Sequence, residues 1–307
     1  MLELLIASSI ASATPLLYAT VGEILTERSG VLNLGVEGMM IVGALTGFAA
    51  AVMTGSTYLG LLCALSSAGL LSLIHAFLSV TLRANQIVSG LGLTIFGIGL
   101  TGYLGQSMIG KPAPAILQKT LLPYLSEIPF LGQAFFQQSP LVYAGVVLAV
   151  LAYFFLFHTR AGLNLRAVGE NPAAADMAGV NVFVIRYAAT FAGGALCGLG
   201  GAYVSLVYTP FWTENMIAGR GWIAIALVIF ASWDPRLAIA GAFLFGGVDA
   251  LATRLQALGV GIPSYFLRML PYAFTILILI FSFVKREKRS GLSVVPAALT
   301  LPYEREG

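Results

Sequence analysis

Residues Thr159–Arg186 read TRAGLNLRAVGENPAAADMAGVNVFVIR, a polar stretch of 28 residues set between two long apolar runs. This stretch decides the architecture: the runs on either side are separate membrane spans, and the stretch is a loop joining them on one face. The loop carries Arg160, Arg166 and Arg186 and holds a short helix with its own start and stop signals. Asn171 is placed to cap it, Pro172 suits the first helical position, AAADMA consists mostly of good helix formers, and Gly179 closes the helix at C′. A helix this small buries too little to be a domain. A membrane protein that presents one on its inner side is offering it to a partner.

Outward from this loop the chain is apolar. Of its 307 residues 58% are hydrophobic and only 9% charged, against about 25% charged in a soluble domain. The expected fold is all-α, a polytopic transmembrane helical bundle of about 8–10 spans at about 20 residues each. The runs fall near 4–25, 35–54, 57–82, 86–105, 141–158, 187–208, 221–233, 237–257 and 265–284, the seventh being short. Residues 1–284 form the membrane domain, 106–140 an external loop, and 285–307 a flexible cytoplasmic tail. The middle of the external loop, AILQKTLLPYLSEIPFLGQAFF, has the amphipathic character of a segment lying along the membrane surface. The first run lacks a basic leader and reads as a first span, not a cleaved signal. Cys63 and Cys197 both sit in apolar runs, which argues against a disulfide scaffold or metal site.

Basic residues set the orientation. With the C-terminus inside, Arg28, Arg83, the three loop arginines, Arg236, Arg305 and the cluster Lys285, Arg286, Lys288 and Arg289 lie on the inner side. Only Lys111, Lys119 and Arg220 fall outside, while Arg254 and Arg268 sit near outer helix ends and can snorkel. The N-terminus is then outside and the Thr159–Arg186 loop inside.

Two nucleotide-like patterns carry no nucleotide chemistry. GQSMIGKP (Gly105–Pro112) places proline where a phosphate loop needs Ser or Thr, and no strand precedes it. GIGLTG (Gly97–Gly102) lies inside an apolar span, where small residues serve helix packing. His75 and His158 are isolated, and no catalytic triad or carboxylate pair at catalytic spacing occurs. The chain reads as a non-enzyme.

Four polar positions within or beside spans stand out. In TERSGVLNLGVEGMM (Thr26–Met40), Asn33 is placed to cap a helix whose N-terminus points into the protein, with Glu37 close behind. The segment either lines a pathway or is a simple inner turn. Asp249 lies about 18 Å along its span, near the midplane, and either lines the pathway or pairs helices. Asn85 and Gln86 open a span as a cytoplasmic turn or as the inner mouth of a pathway. TPFWTENMIAGRG (Thr209–Gly221) is an outer loop in which Trp212 and Trp222 suit an aromatic belt, and Glu214 and Arg220 face either a partner or solvent. The GGALCGLGG run, with GxxxG at Gly194 and Gly198, reads as helix packing.

Two of these stretches, SGVLNLGVEGMM and GENPAAADMAGV, make the chain similar to permease subunits of ABC importers in the branched-chain amino acid, ribose and nucleoside group. The Glu27-Arg28-Ser29-Gly30 start and the LGVEGMM run resemble the nucleoside or simple-sugar subgroup, and the length and N-terminus resemble the shorter of its two paired permeases. The resemblance extends over nearly the whole chain. It implies two permease subunits around one pathway as a heterodimer, ABC ATPase subunits docked beneath on separate chains, and an extracytoplasmic solute-binding protein or lipoprotein. The setting implied is a bacterial-type cytoplasmic membrane, with lipid around the bundle, the C-terminus cytoplasmic and no nucleic acid bound. Gly169, Glu170, Asn171, Pro172, Ala174, Ala175 and Gly179 match the family's coupling segment, which seats in a groove of the ATPase. No cofactor is implied for this chain; ATP and magnesium belong to the ATPase.

Three functions compete: a permease of this kind, an ion-coupled carrier using the carboxylates of Asp249 and Glu37, and a non-transporting scaffold. Nucleosides lead as solute, because a neutral, aromatic, hydroxylated molecule suits spans with few charges and scattered Asn, Thr, Tyr and Phe. Simple sugars and branched-chain amino acids follow.

Overall fold

Apolar runs punctuated by Asn, Ser, Asp and Pro become helices with local caps. The computed structural model describes residues 2–113, 120–121, 123–259, 263–287 and 295–305. Its helices are α1 (Leu2–Arg28), α2 (Val36–Thr54), α3 (Thr57–Ala76, continued by a π-helical turn Phe77–Thr81), α4 (Gln86–Leu104), α5 (Leu131–Phe135) and α6 (Pro140–His158). They continue with α7 (Arg160–Glu170), α8 (Pro172–Met177), α9 (Val182–Tyr203, continued by a π-helical turn Val204–Tyr208), α10 (Arg220–Phe230), α11 (Pro235–Ala257) and α12 (Ser264–Glu287). Ser56, Asn85, Thr159, Asn171, Asn181 and Asp234 each accept a backbone N–H from the first turn of the helix that follows, as capping residues do.

Among the described residues, seven helices are long and apolar enough to cross a membrane. The stretch expected at 221–233 differs. It forms α10, whose 11 residues reach about 16 Å, roughly half of a bilayer core. The cause is the turn before it, where Asn215, Ala218 and Gly219 take positive φ and start the helix at mid-depth.

The core is built around α9, which α1, α2 and α3 flank. Gly194 and Gly198, four residues apart, both face α3; an added Cβ would meet Ser72 at the first and Ala64 and Ala68 at the second. The absent side chains let the helices touch, which is the packing use of GxxxG. On its other side α1 packs with α10 and α11 through Leu16, Leu17, Val21, Leu227 and Phe245.

Three expectations need correction, all outside the external loop, whose described residues form turns around Pro123 and Pro129, α5, and two short strands, β1 (Thr120–Leu121) and β2 (Gln137–Gln138), paired antiparallel. Its start is pinned to the later outer loop by Ala113 N–H donating to Pro210 O at 3.1 Å. Trp212 is only 1% exposed, packed where Gly105 has no side chain, and so is no belt residue. The Thr159–Arg186 loop holds two helices, and α9 begins inside it, which buries Arg186 in the bundle. Residues 295–305 are not a free end but pack on that loop. Pro114, Lys119, Lys288 and Arg289 lie outside the described residues, as do the side chains of Arg268, Lys285 and Arg286.

Candidate translocation and coupling site

After Arg28 ends α1, Gly30 at φ +88° turns the chain back toward the bundle, and Val31–Gly35 runs without helical bonds until α2 starts at Val36. Depth follows from neighbours. Thr20 Oγ1 donates to Ala224 O (3.4 Å), and Thr20 lies eight residues, about 12 Å, from Arg28 along α1. The first residues of α10 lie about one turn beyond Ala224, so they and the start of α2 sit near mid-membrane. Non-helical backbone at that depth survives only when protein groups satisfy it. Here five side chains do so. Gln86 Oε1 accepts from Leu32 N–H (2.8 Å), Glu23 Oε1 from Asn33 N–H (3.0 Å), and Asn33 Oδ1 from Gly35 N–H (2.9 Å). Thr94 Oγ1 donates to Leu34 O (2.9 Å), and His75 Nε2 lies 3.0 Å from Leu32 O, with its Nδ1 on Ser89 Oγ at 3.0 Å. Asn33 thus stands two residues ahead of the α2 cap, which is Gly35 with no side-chain bond.

Glu37 joins two helix starts. Its Oε1 accepts from Gly219 N–H and its Oε2 from Gly221 N–H, both at 2.7 Å. A carboxylate across the free N–H groups of a helix start is favoured by hydrogen bonding and by the helix dipole. Next to it Arg220 Nη2 lies 3.7 Å from Asp249 Oδ2, which also accepts from Ser12. Arg220 lies over the Tyr208 ring at 5.4 Å, and Tyr272 donates to Ala218 O (2.9 Å). The Arg220 and Asp249 side chains keep 18% and 32% of their surface exposed, so this cluster is reachable from one side. Arg220, expected in the outer loop, is therefore an intramembrane residue, and Asp249 ties α11 to α1 and α10.

At the opposite end lies the loop face. Asn171 Oδ1 accepts from Ala174 N–H (3.0 Å), Pro172 is first in α8, and Gly179 at φ +84° closes it, with its N–H on Asp176 O at 2.9 Å. Asn171, Ala174 and Gly179 are exposed beside Met177, which is 85% exposed. Ala175 instead faces inward onto Val168 and Val182. Gly169 lies so close to the Arg28 carbonyl that no Cβ fits, which puts the loop in direct backbone contact with the end of α1. Arg28 in turn donates to Trp233 O (3.2 Å), and Trp233 Nε1 donates to Glu27 Oε2 (2.5 Å). The loop, α1 and the turn after α10 are one connected unit.

Of the remaining sequence candidates, Asn85 is exposed and caps α4, while Gln86 is buried on Leu32. The sequence reading missed Glu23, Glu27, His75, Thr94 and Trp233. A signal was available for the first two: carboxylates four residues apart lie on one face of a helix in an otherwise apolar run. A pocket of about 440 Å³ near the loop face, lined by Leu25, Phe155, Leu165 and Ile185 with Asn164, is too apolar to suit a hydroxylated solute. Among the described residues no group of three His, Cys, Asp or Glu is placed to hold a metal.

Residues 5–282 match the family described as "Branched-chain amino acid transport system / permease component", and the chain belongs to it. It is 38% identical to a putative glucose ABC transporter permease protein of Haloferax volcanii, over 98% of this chain and 98% of that one. It is 36% identical to a guanosine ABC transporter permease protein of Bacillus subtilis, over 98% and 97% of the two chains. A nucleoside ABC transporter permease protein of Lactococcus lactis is 38% identical over 91% of this chain and 92% of its own. The chain is thus a multi-pass membrane protein and an ABC permease subunit, a transport component and not a catalyst. Membership implies ATPase and binding-protein partners. It also decides against the ion-coupled carrier and the scaffold.

Proposed function

We propose that this chain forms half of the translocation pathway of an ATP-driven nucleoside importer. The second permease subunit is a different chain, ATP and magnesium act on separate ATPase subunits, and a binding protein or lipoprotein delivers the solute outside. The C-terminus lies in the cytoplasm, on the α7–α8 side of a cytoplasmic membrane. Taking Arg220 out of the outer loop strengthens the basic bias toward that side.

The observation that carries the coupling role is the geometry of α8: a self-capped helix with Ala173, Ala174 and Met177 exposed, and Gly169 behind it against the α1 backbone. An ATPase groove that moves α8 moves α1, and through Glu27–Trp233 the end of α10. The other end of α10 is held to α2 by Glu37. Two helix starts and the Arg220–Asp249 pair at mid-depth then shift together, which is the bistable behaviour alternating access needs. Asn33, Glu37, Gln86 and Asp249 belong to this unit, with Asn85 at its inner rim.

Nucleoside as solute is supported by the two relatives whose names state it; a simple sugar is the second reading, supported by the Haloferax relative. Replacing Gly179 with valine or Glu170 with lysine in the assembled transporter tests the coupling role. The expected outcome is loss of ATP-dependent uptake of a labelled nucleoside at unchanged membrane level. Normal uptake would overturn the coupling role, and uptake competed by glucose but not by nucleosides would replace the solute.

A further inference from the structure

Residues 295–305 form a strap against the α7–α8 loop. Ala298 donates its N–H to Gly169 O (2.9 Å) and Ala297 donates to Glu170 Oε2 (3.3 Å). Tyr303 seats its ring among Val168, Ala175 and Val182, and its hydroxyl donates to Asp176 Oδ2 at 3.0 Å. Arg305 Nε lies 2.9 Å from the same oxygen. Glu304 meets Arg83 at 2.7 Å, which ties the strap to the turn before α4. Leu301 O accepts from Arg186 Nη1 (3.4 Å). Arg186 is 1% exposed, and among the described residues its Nε and Nη2 have no hydrogen-bond partner. Losing the strap would remove a carbonyl from an already under-satisfied buried charge, a costly change.

The strap bears on a weak point. With six residues, α8 makes too few helical bonds to be stable on its own. Its outer surface is the exposed one, so its pose depends on what stands behind it: α7, α9 and the strap. The one carboxylate of α8, Asp176, is held by two strap residues.

We propose that Tyr303 and Arg305 are positioning residues for coupling: acting through Asp176, they set the pose in which α8 meets the ATPase. Without them the helix frays, and a push from the ATPase is absorbed in α8 instead of passing through Gly169 to α1. The proposal rests on the coupling role of α8 given above.

The test uses the complete transporter in proteoliposomes, a labelled purine nucleoside as probe, and hydrogen exchange of the α8 amides in the same preparation. Tyr303→Phe removes one oxygen from a ring that stays packed, so the fold is kept; Arg305→Ala removes the ion pair. Either should speed exchange at Ala174–Val180 by up to about tenfold, the change expected for one hydrogen bond to a charged group. Solute carried per ATP hydrolysed should fall by about threefold to tenfold, with the ATPase rate unchanged. Asp176→Arg should lose coupling, and adding Arg305→Asp should restore it. Wild-type coupling in Tyr303→Phe and Arg305→Ala, or no rescue in the charge exchange, overturns the proposal. If the Gly179 and Glu170 variants uncouple while the strap variants do not, only the strap proposal falls. If all four transport normally, the coupling role falls and takes this proposal with it.

Discussion

The chain interrupts its apolar spans in two places that resemble each other on paper. Ser29–Gly35 and Glu170–Gly179 both combine Asn and Gly next to a helix. Their physics differs. In the second, the bonds that start and stop the helix are local: Asn171 caps α8 three residues on, and Gly179 closes it a turn later. In the first, the partners are remote: Glu23 on α1, His75 on α3, and Gln86 and Thr94 on α4 supply the bonds that five residues of buried backbone need. Water can replace a lost bond at the exposed α8. At mid-membrane nothing can, so the same kind of change should cost more there.

That difference can be broken by measurement. Glu37→Ala strips both carboxylate bonds from the α10 start and should have the largest effect. At about 1.5 kcal/mol each for hydrogen bonds to a charged group, the loss is about 3 kcal/mol, read by denaturant unfolding of the permease in mixed micelles, with nucleoside uptake abolished. Gln86→Leu leaves the Leu32 N–H without its acceptor and should cost about 1–2 kcal/mol, with faster exchange confined to residues 31–35. Asn171→Ala should be the mildest, about 1 kcal/mol of local helix stability, seen as faster exchange at Ala174 with no shift of the global unfolding midpoint. If Asn171→Ala lowered global stability more than Glu37→Ala, the contrast between local and remote satisfaction would be wrong.

The same contrast explains what could be read in advance. The caps of α8, the span positions and the packing role of Gly194 and Gly198 rest on residues near in sequence or on periodic small residues. Each matched the structure to within a few residues. The 11-residue α10 did not, because an apolar run does not state where in the membrane it begins. Arg220 looked like a loop residue for the same reason: only its approach to Asp249 and Tyr208 reveals its depth. The strap was illegible because its partners, Gly169, Asp176 and Arg186, lie more than 100 residues earlier.

By itself, the sequence determined a polytopic helical permease with a capped helix on the loop between its fifth and sixth long helices, because hydrophobic length and helix caps are local properties of the chain. The tertiary structure alone decided that α2 and α10 start together at mid-depth, that Glu37 clasps them, and that the C-terminal residues brace α8. Those are pairings between distant residues, and they form only once packing has removed the water that would otherwise satisfy each polar group separately.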